Sequence, residues 1–233
     1  DLGSQDCSTC TDEIRLINNA EYCKNDLDTV ATILEEEDPS YESIVSLINT
    51  NGVSYNLPIW DSTRLKILVL ENNNLTGILP TSLSQLDELS HLDLSENNFT
   101  DTLEPLTTLS YLEVIDLSNN MLSGAFSYLS HLNLTTLYLN DNLFTDTLSG
   151  LETITTLEHL NLSNNTLSDT LLPLANLTNL TTLNLSNNEL YDTLLPLENL
   201  NQLTTLNLSE NSLSGSLEGL VNMIQLENLY LNN

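Results

Sequence analysis

Positive charge is what this sequence has least of. Its 233 residues carry 4 Lys and Arg against 33 Asp and Glu, a formal net charge of −29. Arg15, Lys24, Arg64 and Lys66 all come early, and no Lys or Arg occurs from Ile67 to Asn233. A phosphate backbone would be repelled, which argues against nucleic acid as a partner. Anionic membrane surfaces are disfavoured for the same reason, so no direct membrane binding is expected. A cationic partner or divalent cations would instead be attracted, although acidity also simply keeps a sticky protein in solution. No apolar run approaches the roughly 18 residues that span a bilayer, and the opening Asp1-Leu2-Gly3-Ser4, which has no signal-peptide pattern, is expected to be a mature N-terminus or a cut boundary. The three cysteines, Cys7, Cys10 and Cys23, are an odd count, and Cys7-x-x-Cys10 has neither a second such pair nor a nearby His to complete a zinc site. There is no Ser-His-Asp order, phosphate loop or metal-ligand helix, so neither catalysis nor a cofactor or metal is expected. Carboxylates are plentiful, but acid–base work needs a pair held in a dry cleft, which abundance does not supply.

What the sequence does have is one phrase, Leu-x-x-Leu-x-Leu-x-x-Asn-x-Leu, repeated. The first copy is Leu65, Leu68, Leu70, Asn73 and Leu75; the second is Leu89, Leu92, Leu94, Asn97 and Phe99. Five more complete copies follow, and an eighth opens with Leu226, Leu229 and Leu231. The opening leucines stand at Leu65, Leu89, Leu112, Leu134, Leu157, Leu180, Leu203 and Leu226, so the steps are 24, 23, 22, 23, 23, 23 and 23 residues. A fixed period of this size predicts a solenoid in which each coil buries its leucines only against its neighbours. Within Leu-x-Leu the side chains alternate, so Leu68 and Leu70 point inward while Val69 points out. Asn73, Asn97, Asn120, Asn142, Asn165, Asn188 and Asn211 fall where each strand ends and the chain turns. Their side chains both donate and accept, which suits them to satisfy the backbone groups stranded there.

This phrase at this period resembles the leucine-rich repeat family over residues 65–233. The resemblance implies an α/β fold: a curved parallel sheet with a helical N-terminal cap, whose concave face is the default binding surface. Leu75-Thr76-Gly77-Ile78-Leu79-Pro80 is similar to the Leu-x-Gly-x-Ile-Pro segment of plant-type extracellular repeats. Later coils depart from it, with Asp in place of Gly at 101, 146, 169 and 192. Surface members of such families staple their N-terminal caps with disulfides, which an oxidising compartment allows. The implied location is extracellular or at a cell surface.

Residues 1–61 are expected to form the cap and residues 62–233 the repeats. Ile14, Ile17 and Ala20 suggest a helix over Asp12–Tyr22. Asp26 suits the N-cap of a second, bearing Leu27, Val30, Ala31 and Leu34. Tyr41, Ile44, Val45 and Ile48 fall at i, i+3, i+4 and i+7 of a third, which starts at Pro39-Ser40 and stops at Asn51-Gly52. Val53–Trp60 would lead in as an extended edge strand, where Pro58 is tolerated, and Trp60 would cover the open end of the core. At the other end, Leu231-Asn232-Asn233 falls inside a phrase. The expectation is that the natural protein continues there, with self-association through an uncapped end as the alternative.

The outward positions of the concave face form three rows. The central one is Val69, Asp93, Asp116, Tyr138, Asn161, Asn184, Asn207 and Tyr230. The row before it includes Ile67, His91 and His159, and the row after it includes Glu71 and Ser95. The candidate binding residues are therefore His91, Asp93, Asp116, Tyr138, His159, Asn161, Asn184, Asn207 and Tyr230. Asp93 and Asp116, roughly 4.8 Å apart by strand spacing, would share one cation or one basic side chain of a partner, with Glu71 and Glu96 nearby. Tyr138 and Tyr230 are the aromatics best placed for contact. Coils five to seven present a Thr/Asn/Ser lattice instead. His91 and His159 are three coils apart, too far for one site. These features predict a non-catalytic module that recognises a protein or peptide. A secreted structural, adhesion or glycan-binding protein is the alternative. A third reading is ice or mineral binding by the ladder at Thr100/Thr102 and Thr145/Thr147. Nine Asn-x-Ser/Thr sequons arise largely from the phrase itself, and sugar on Asn161, Asn184 and Asn207 would cover half of the concave face.

Overall fold

A computed structural model describes residues 14–17, 20–34, 44, 48, 49, 59–61, 63–145 and 147–232. Eight three-residue strands line up in one parallel sheet in chain order. They are Ile67–Val69, His91–Asp93, Val114–Asp116, Thr136–Tyr138, His159–Asn161, Thr182–Asn184, Thr205–Asn207 and Asn228–Tyr230, which we number as coils one to eight. The register carries no slip: Leu68 pairs with Leu92, Leu92 with Ile115, and so on to Leu206 with Leu229. A one-residue slip would turn every inward leucine outward, so the apolar rows fix the pairing.

The core is a single run of aliphatic side chains along the stack. Leu92, Ile115, Leu137, Leu160, Leu183 and Leu206 are at most 1% exposed, as are the opening leucines Leu65, Leu89, Leu112, Leu134, Leu157, Leu180 and Leu203. Three phenylalanines, Phe99, Phe126 and Phe144, fill wider spaces in it, and the rings of Phe126 and Phe144 lie 5.1 Å apart. In coil eight the layer opens, and Leu229 is 41% exposed.

Behind each strand the chain makes a sharp reversal that requires left-handed backbone. The residue before each ladder asparagine carries it: Asn72, Glu96, Asn119, Asp141, Asn164, Asn187 and Glu210 have φ between 51° and 56°. Asn and Asp tolerate this region, whereas Glu pays more for it. A second left-handed residue opens the return path at Gly77, Gly124 and Gly215, and also at Asp101 (φ 72°) and Asp192 (φ 88°). These two aspartates thus take the backbone conformation of the glycine they replace. On this outer side, short strands Thr76–Ile78, Asn98–Asp101 and Met121–Leu122 pair in parallel, as do Tyr191–Asp192 and Ser212–Leu213. Single 3-10 turns such as Glu104–Leu106 and Leu195–Leu197 then lead back to the next coil.

The N-terminal segment differs from its expected form. Ile14–Ile17 and Ala20–Cys23 are strands of an antiparallel hairpin, not a helix. The apolar residues there span too few positions to fix a helical period, and β-branched Ile14 and Ile17 with aromatic Tyr22 favour pairing. One helix follows, Lys24–Ile33, burying Leu27, Val30, Ala31 and Ile33. Asp26 is not its N-cap: Cys23 holds that position, and Asp26 sits in the first turn, fully buried. Its carboxylate accepts from the Arg64 guanidinium (3.1 Å) and from the Leu65 N–H (2.8 Å), tying the helix to coil one. Arg64 also bonds Asp87 and the Gln85 carbonyl. Ile44 and Ile48 are helical and buried. Trp60–Asp61 pairs antiparallel with Arg64–Leu65, and the Trp60 ring packs on the core and edge-on against Tyr22 at 4.8 Å. Cys23 is disulfide-bonded. Cys7, Cys10, Pro39-Ser40, Tyr41, Val45, Asn51-Gly52 and Pro58, on which other expectations rest, lie outside the described residues.

Candidate functional site

The central row of the concave face runs in register from Val69 through Asp93, Asp116, Tyr138, Asn161, Asn184 and Asn207 to Tyr230. Exposure along this row begins at Asp116, because Val69 and Asp93 are buried, 6% and 9% exposed, as is Ile67 beside them. Five members of the row share one local geometry. The Asp93 Oδ1 accepts from both the N–H (3.0 Å) and the hydroxyl (2.6 Å) of Ser95. Asp116 does the same with Ser118, at 2.9 and 2.6 Å. Asn161, Asn184 and Asn207 repeat it with Ser163, Ser186 and Ser209, each N–H at 3.1 Å and each hydroxyl at 2.7–2.8 Å. Two donors on one oxygen fix the side-chain rotamer, so this row is rigid before any ligand arrives. The hydroxyl bond is shortest where the acceptor is a carboxylate, as expected for a charged acceptor.

At coils one to four the row is acidic and crowded. Burial raises the Asp116 pKa, and the charges of Asp93 and Glu96 add to it, against the opposing bonds from Ser118. Glu71 is raised by desolvation and then by Asp93, Glu96 and Asp116. Tyr138, half-buried beside them, is raised by burial and by the Asp116 charge. Asp93, Glu96 and Asp116 thus raise Glu71, and Asp93 and Glu96 raise Asp116. Such an arrangement is relieved by an incoming positive charge. His91 stands at the edge of this region. Burial lowers its pKa and the Glu113 carboxylate opposes the shift, so the ring favours its neutral form.

Coils five to seven carry no such charge. The Asn161 amide donates to the side-chain Oδ1 of Asn140 (2.9 Å), and His159 Nδ1 contacts the Thr181 hydroxyl (3.3 Å). The row closes on Tyr230, which is 49% exposed. His91 and His159 lie in the same row, three strand steps apart, and the structure does not bring them together.

The asparagine ladder runs behind the sheet. Asn97, Asn120, Asn142, Asn165, Asn188 and Asn211 each donate to three carbonyls, one in the preceding coil and two in their own. Each also accepts from a backbone N–H of the preceding coil, such as Phe99 to Asn120 and Phe144 to Asn165. The side-chain amide of Asn73, in the first coil, donates locally to the Glu71 carbonyl, while its backbone N–H donates to Asn97 Oδ1.

One feature escaped the reading of the sequence. Beside the concave face at coils one to three is a hollow of about 360 Å³ lined by Asp61, Lys66, Ile67, Glu88, Ser90, His91, Tyr111 and Glu113. The signal for it is Tyr111, the single aromatic at the position preceding an opening leucine; the other coils have Arg64, Glu88, Asn133, Thr156, Asn179, Gln202 and Gln225 there. Among the described residues no group of three or more His, Cys, Asp and Glu is placed to hold a metal ion, and no helix is long and apolar enough to cross a membrane.

Comparison with known proteins follows the same lines. The Leucine Rich Repeat family profile matches residues 64–86, 88–109, 111–132, 156–177, 179–201 and 202–223. A calmodulin-binding receptor kinase of Arabidopsis thaliana is 39% identical over 92 residues, which are 37% of this chain and 14% of that kinase. The ectodomain of the Arabidopsis receptor kinase GASSHO1/SCHENGEN3, solved with Casparian strip integrity factor 2, superposes with a TM-score of 0.69 at 32% identity, covering 74% of this chain and 22% of that one. The PEPR1–AtPEP1 structure gives 0.75 at 27% identity over 90% of this chain and 31% of its own. A plant ice-binding protein gives 0.61 at 26% identity, covering 72% and 56%. The chain thus spans only a small part of the receptors it matches.

Proposed function

Because the chain belongs to the leucine-rich repeat family, we propose that its concave sheet is a non-catalytic surface that recognises a protein or peptide outside the cell, and that coils two to four grip basic side chains of that partner. One observation supports this above the rest. Asp93 and Asp116 make the same two bonds to serine that Asn161, Asn184 and Asn207 make. The serine clamp needs an acceptor oxygen, which Asn supplies as well as Asp, so the clamp alone does not account for the negative charge at Asp93 and Asp116. A basic side chain of a partner is attracted to that charge. Tyr138 adds a half-buried ring beside the carboxylates, a combination suited to an Arg or Lys side chain. The likeness to plant receptor ectodomains solved with their ligands and the disulfide at Cys23 both support an extracellular recognition role.

The test uses a hexa-arginine peptide as probe. Asp93→Asn with Asp116→Asn keeps the serine clamp and removes two charges. Asp169→Asn with Asp192→Asn removes two charges from the outer side and serves as control. The expected result is a loss of about tenfold or more in affinity for the first pair and less than threefold for the control. Equal losses would mean that only net charge matters and would end the reading.

A second reading, ice or mineral binding by the outer hydroxyls, is favoured by the likeness to a plant ice-binding protein. Thr76, Thr100, Ser123, Thr145, Ser168 and Ser214 form one column and Thr102, Thr147, Thr170, Thr193 and Ser216 another. Tyr191 breaks the first, Ile78 and Ala125 break the second, and Thr100 and Ser214 already bond carbonyls of the preceding coil. Absence of ice-growth inhibition by the purified chain would remove it.

A further inference from the structure

The hollow at coils one to three lies on the lip from which the chain enters the concave strands. Lys66, Ser90 and Glu113 each immediately precede a strand, and His91 is the first residue of its own. Three carboxylates, Asp61, Glu88 and Glu113, face one ammonium, that of Lys66. Lys66 is already committed: it is bonded to Glu88, lies 4.0 Å from Asp61, and its Nζ stands 5.9 Å from the centre of the Tyr111 ring. A cation is thus seated on that ring within the protein itself. Glu113 has no ion-pair partner among the described residues, and Tyr111 is 61% exposed. The buried side chain of Ile67 gives the hollow an apolar floor.

The His91 ring lies on the same lip, its Nδ1 2.8 Å from the Ser90 hydroxyl oxygen. Burial disfavours its charged form, and a neutral ring repels no cation.

We propose that this hollow is a subsite for one arginine side chain of the peptide partner, with the guanidinium against the Tyr111 ring and its N–H groups on the Glu113 carboxylate. A planar, weakly hydrated guanidinium stacks on an aromatic face and bonds a carboxylate through two N–H groups at once, whereas an ammonium stays strongly hydrated. The distance suits a peptide: His91 and Asp93 are two strand residues apart, about 7 Å, so a chain lying on the acidic row reaches the lip with a neighbouring side chain. The inference rests on the concave-face reading only in taking the partner to be a peptide.

The experiment is a titration of the full chain with N-acetyl-arginine amide and with its neutral citrulline analogue, read by the ring resonances of His91. The arginine compound is expected to move them saturably and the citrulline compound to bind at least about fivefold more weakly. Tyr111→Leu, a change at an exposed position that leaves the core alone, is expected to weaken the arginine titration by a similar factor. Glu113→Gln is expected to weaken it as well. No movement of His91, equal response to the two compounds, or an unchanged midpoint in Tyr111→Leu each overturns the proposal. Asp93→Asn with Asp116→Asn is expected to leave this titration within twofold while lowering hexa-arginine affinity. The two readings therefore fail separately.

Discussion

Coils two and three and coils five to seven are built on the same frame and differ, at the centre of each strand, in one atom. At the centre of each strand a side-chain oxygen accepts the same two bonds from a serine two residues on. In the later coils that oxygen belongs to an uncharged amide and in the earlier ones to a carboxylate, of which Asp116 has its pKa raised by burial and then by Asp93 and Glu96. A repeat protein carries its own control experiment in this way. What recurs in every coil answers to the stack, and what appears in two coils answers to something else.

The comparison is broken most severely if the frame itself is unequal. Asn120→Ala in coil three and Asn165→Ala in coil five each remove an amide that makes four backbone bonds and strand carbonyls of two coils. Each unsatisfied buried group costs about 1–3 kcal/mol, so each variant should lose about 3–5 kcal/mol of unfolding free energy in chemical denaturation. The two losses should agree within about 1 kcal/mol. Asn73→Ala, whose amide bonds only locally, should cost well under half as much. A large difference between Asn120 and Asn165 would show that the acidic coils depend on a different support.

The charge difference is sharpened by exchanging it. Asn184→Asp with Asn207→Asp writes the acidic pair into coils six and seven while keeping the serine clamp. This variant should gain hexa-arginine affinity, by a factor of about three to ten, as Asp93→Asn with Asp116→Asn loses it. Both effects should shrink with salt, since exposed charges are screened beyond about 8–10 Å at 0.1–0.15 M. A reciprocal change that leaves affinity where it was would mean that Tyr138 and the lip residues, rather than the carboxylates, define the site.

Much of the frame was legible because it is periodic. The steps between Leu65 and Leu226 give the strand register, and alternation within each Leu-x-Leu gives the faces. The rows read outward, from His91, Asp93 and Asp116 to Tyr230, are the rows seen in the sheet from coil two onward. Exposure departs at coils one and two, because alternation says which way Val69 and Asp93 point but not what covers them. The cap was legible only in part. Leu27, Val30 and Ala31 sit on the helix that their spacing implies, but Ile14 and Ile17 belong to a hairpin, for which local spacing carries too little information. Asp26 reads locally as a cap and is in fact the partner of Arg64, 38 residues away. The lip hollow was hidden for the same reason: Asp61, Lys66, His91 and Tyr111 meet only through the pitch of the solenoid, and no single coil contains them.

Acidity gives a smaller effect on the same comparison. Asp26, Glu71 and Asp116 all have pKa values raised by folding, with burial as the first cause in each. A raised pKa means that the folded protein holds its proton more tightly than the unfolded chain. The resulting stabilisation is complete below the ordinary carboxylate value near 4 and is lost as pH rises through the raised folded values. Thermal unfolding should therefore occur at higher temperature on mild acidification from pH 7, and the net charge of −29 acts in the same direction by self-repulsion. In Asp93→Asn with Asp116→Asn the dependence should flatten, because one raised group is gone and Glu71 loses two of its three acidic neighbours. Asn184 and Asn207 carry no proton to lose, so Asn184→Ser with Asn207→Ser should leave the slope unchanged. A slope of opposite sign would mean that carboxylate pairing, not crowding, governs this face.

The smallest effect tests whether the frame is uniform at the turn. Two of the seven ladder turns carry the informative residue: Glu96 and Glu210 occupy the left-handed position filled elsewhere by Asn or Asp. A left-handed backbone costs an ordinary L residue about 1–2 kcal/mol, and Asn recovers part of it. Glu96→Asn should therefore stabilise the chain by about 0.5–1 kcal/mol, and Asn164→Glu should cost the same amount. Glu96 has a second role that Glu210 lacks, since its charge raises both Glu71 and Asp116. Removing it should relieve that crowding as well, so Glu96→Asn should stabilise more than Glu210→Asn, and the excess should vanish in the Asp93→Asn, Asp116→Asn background. If both glutamates gain equally in both backgrounds, the turn alone accounts for the strain and the carboxylates of coils one to three are too well solvated to feel one another.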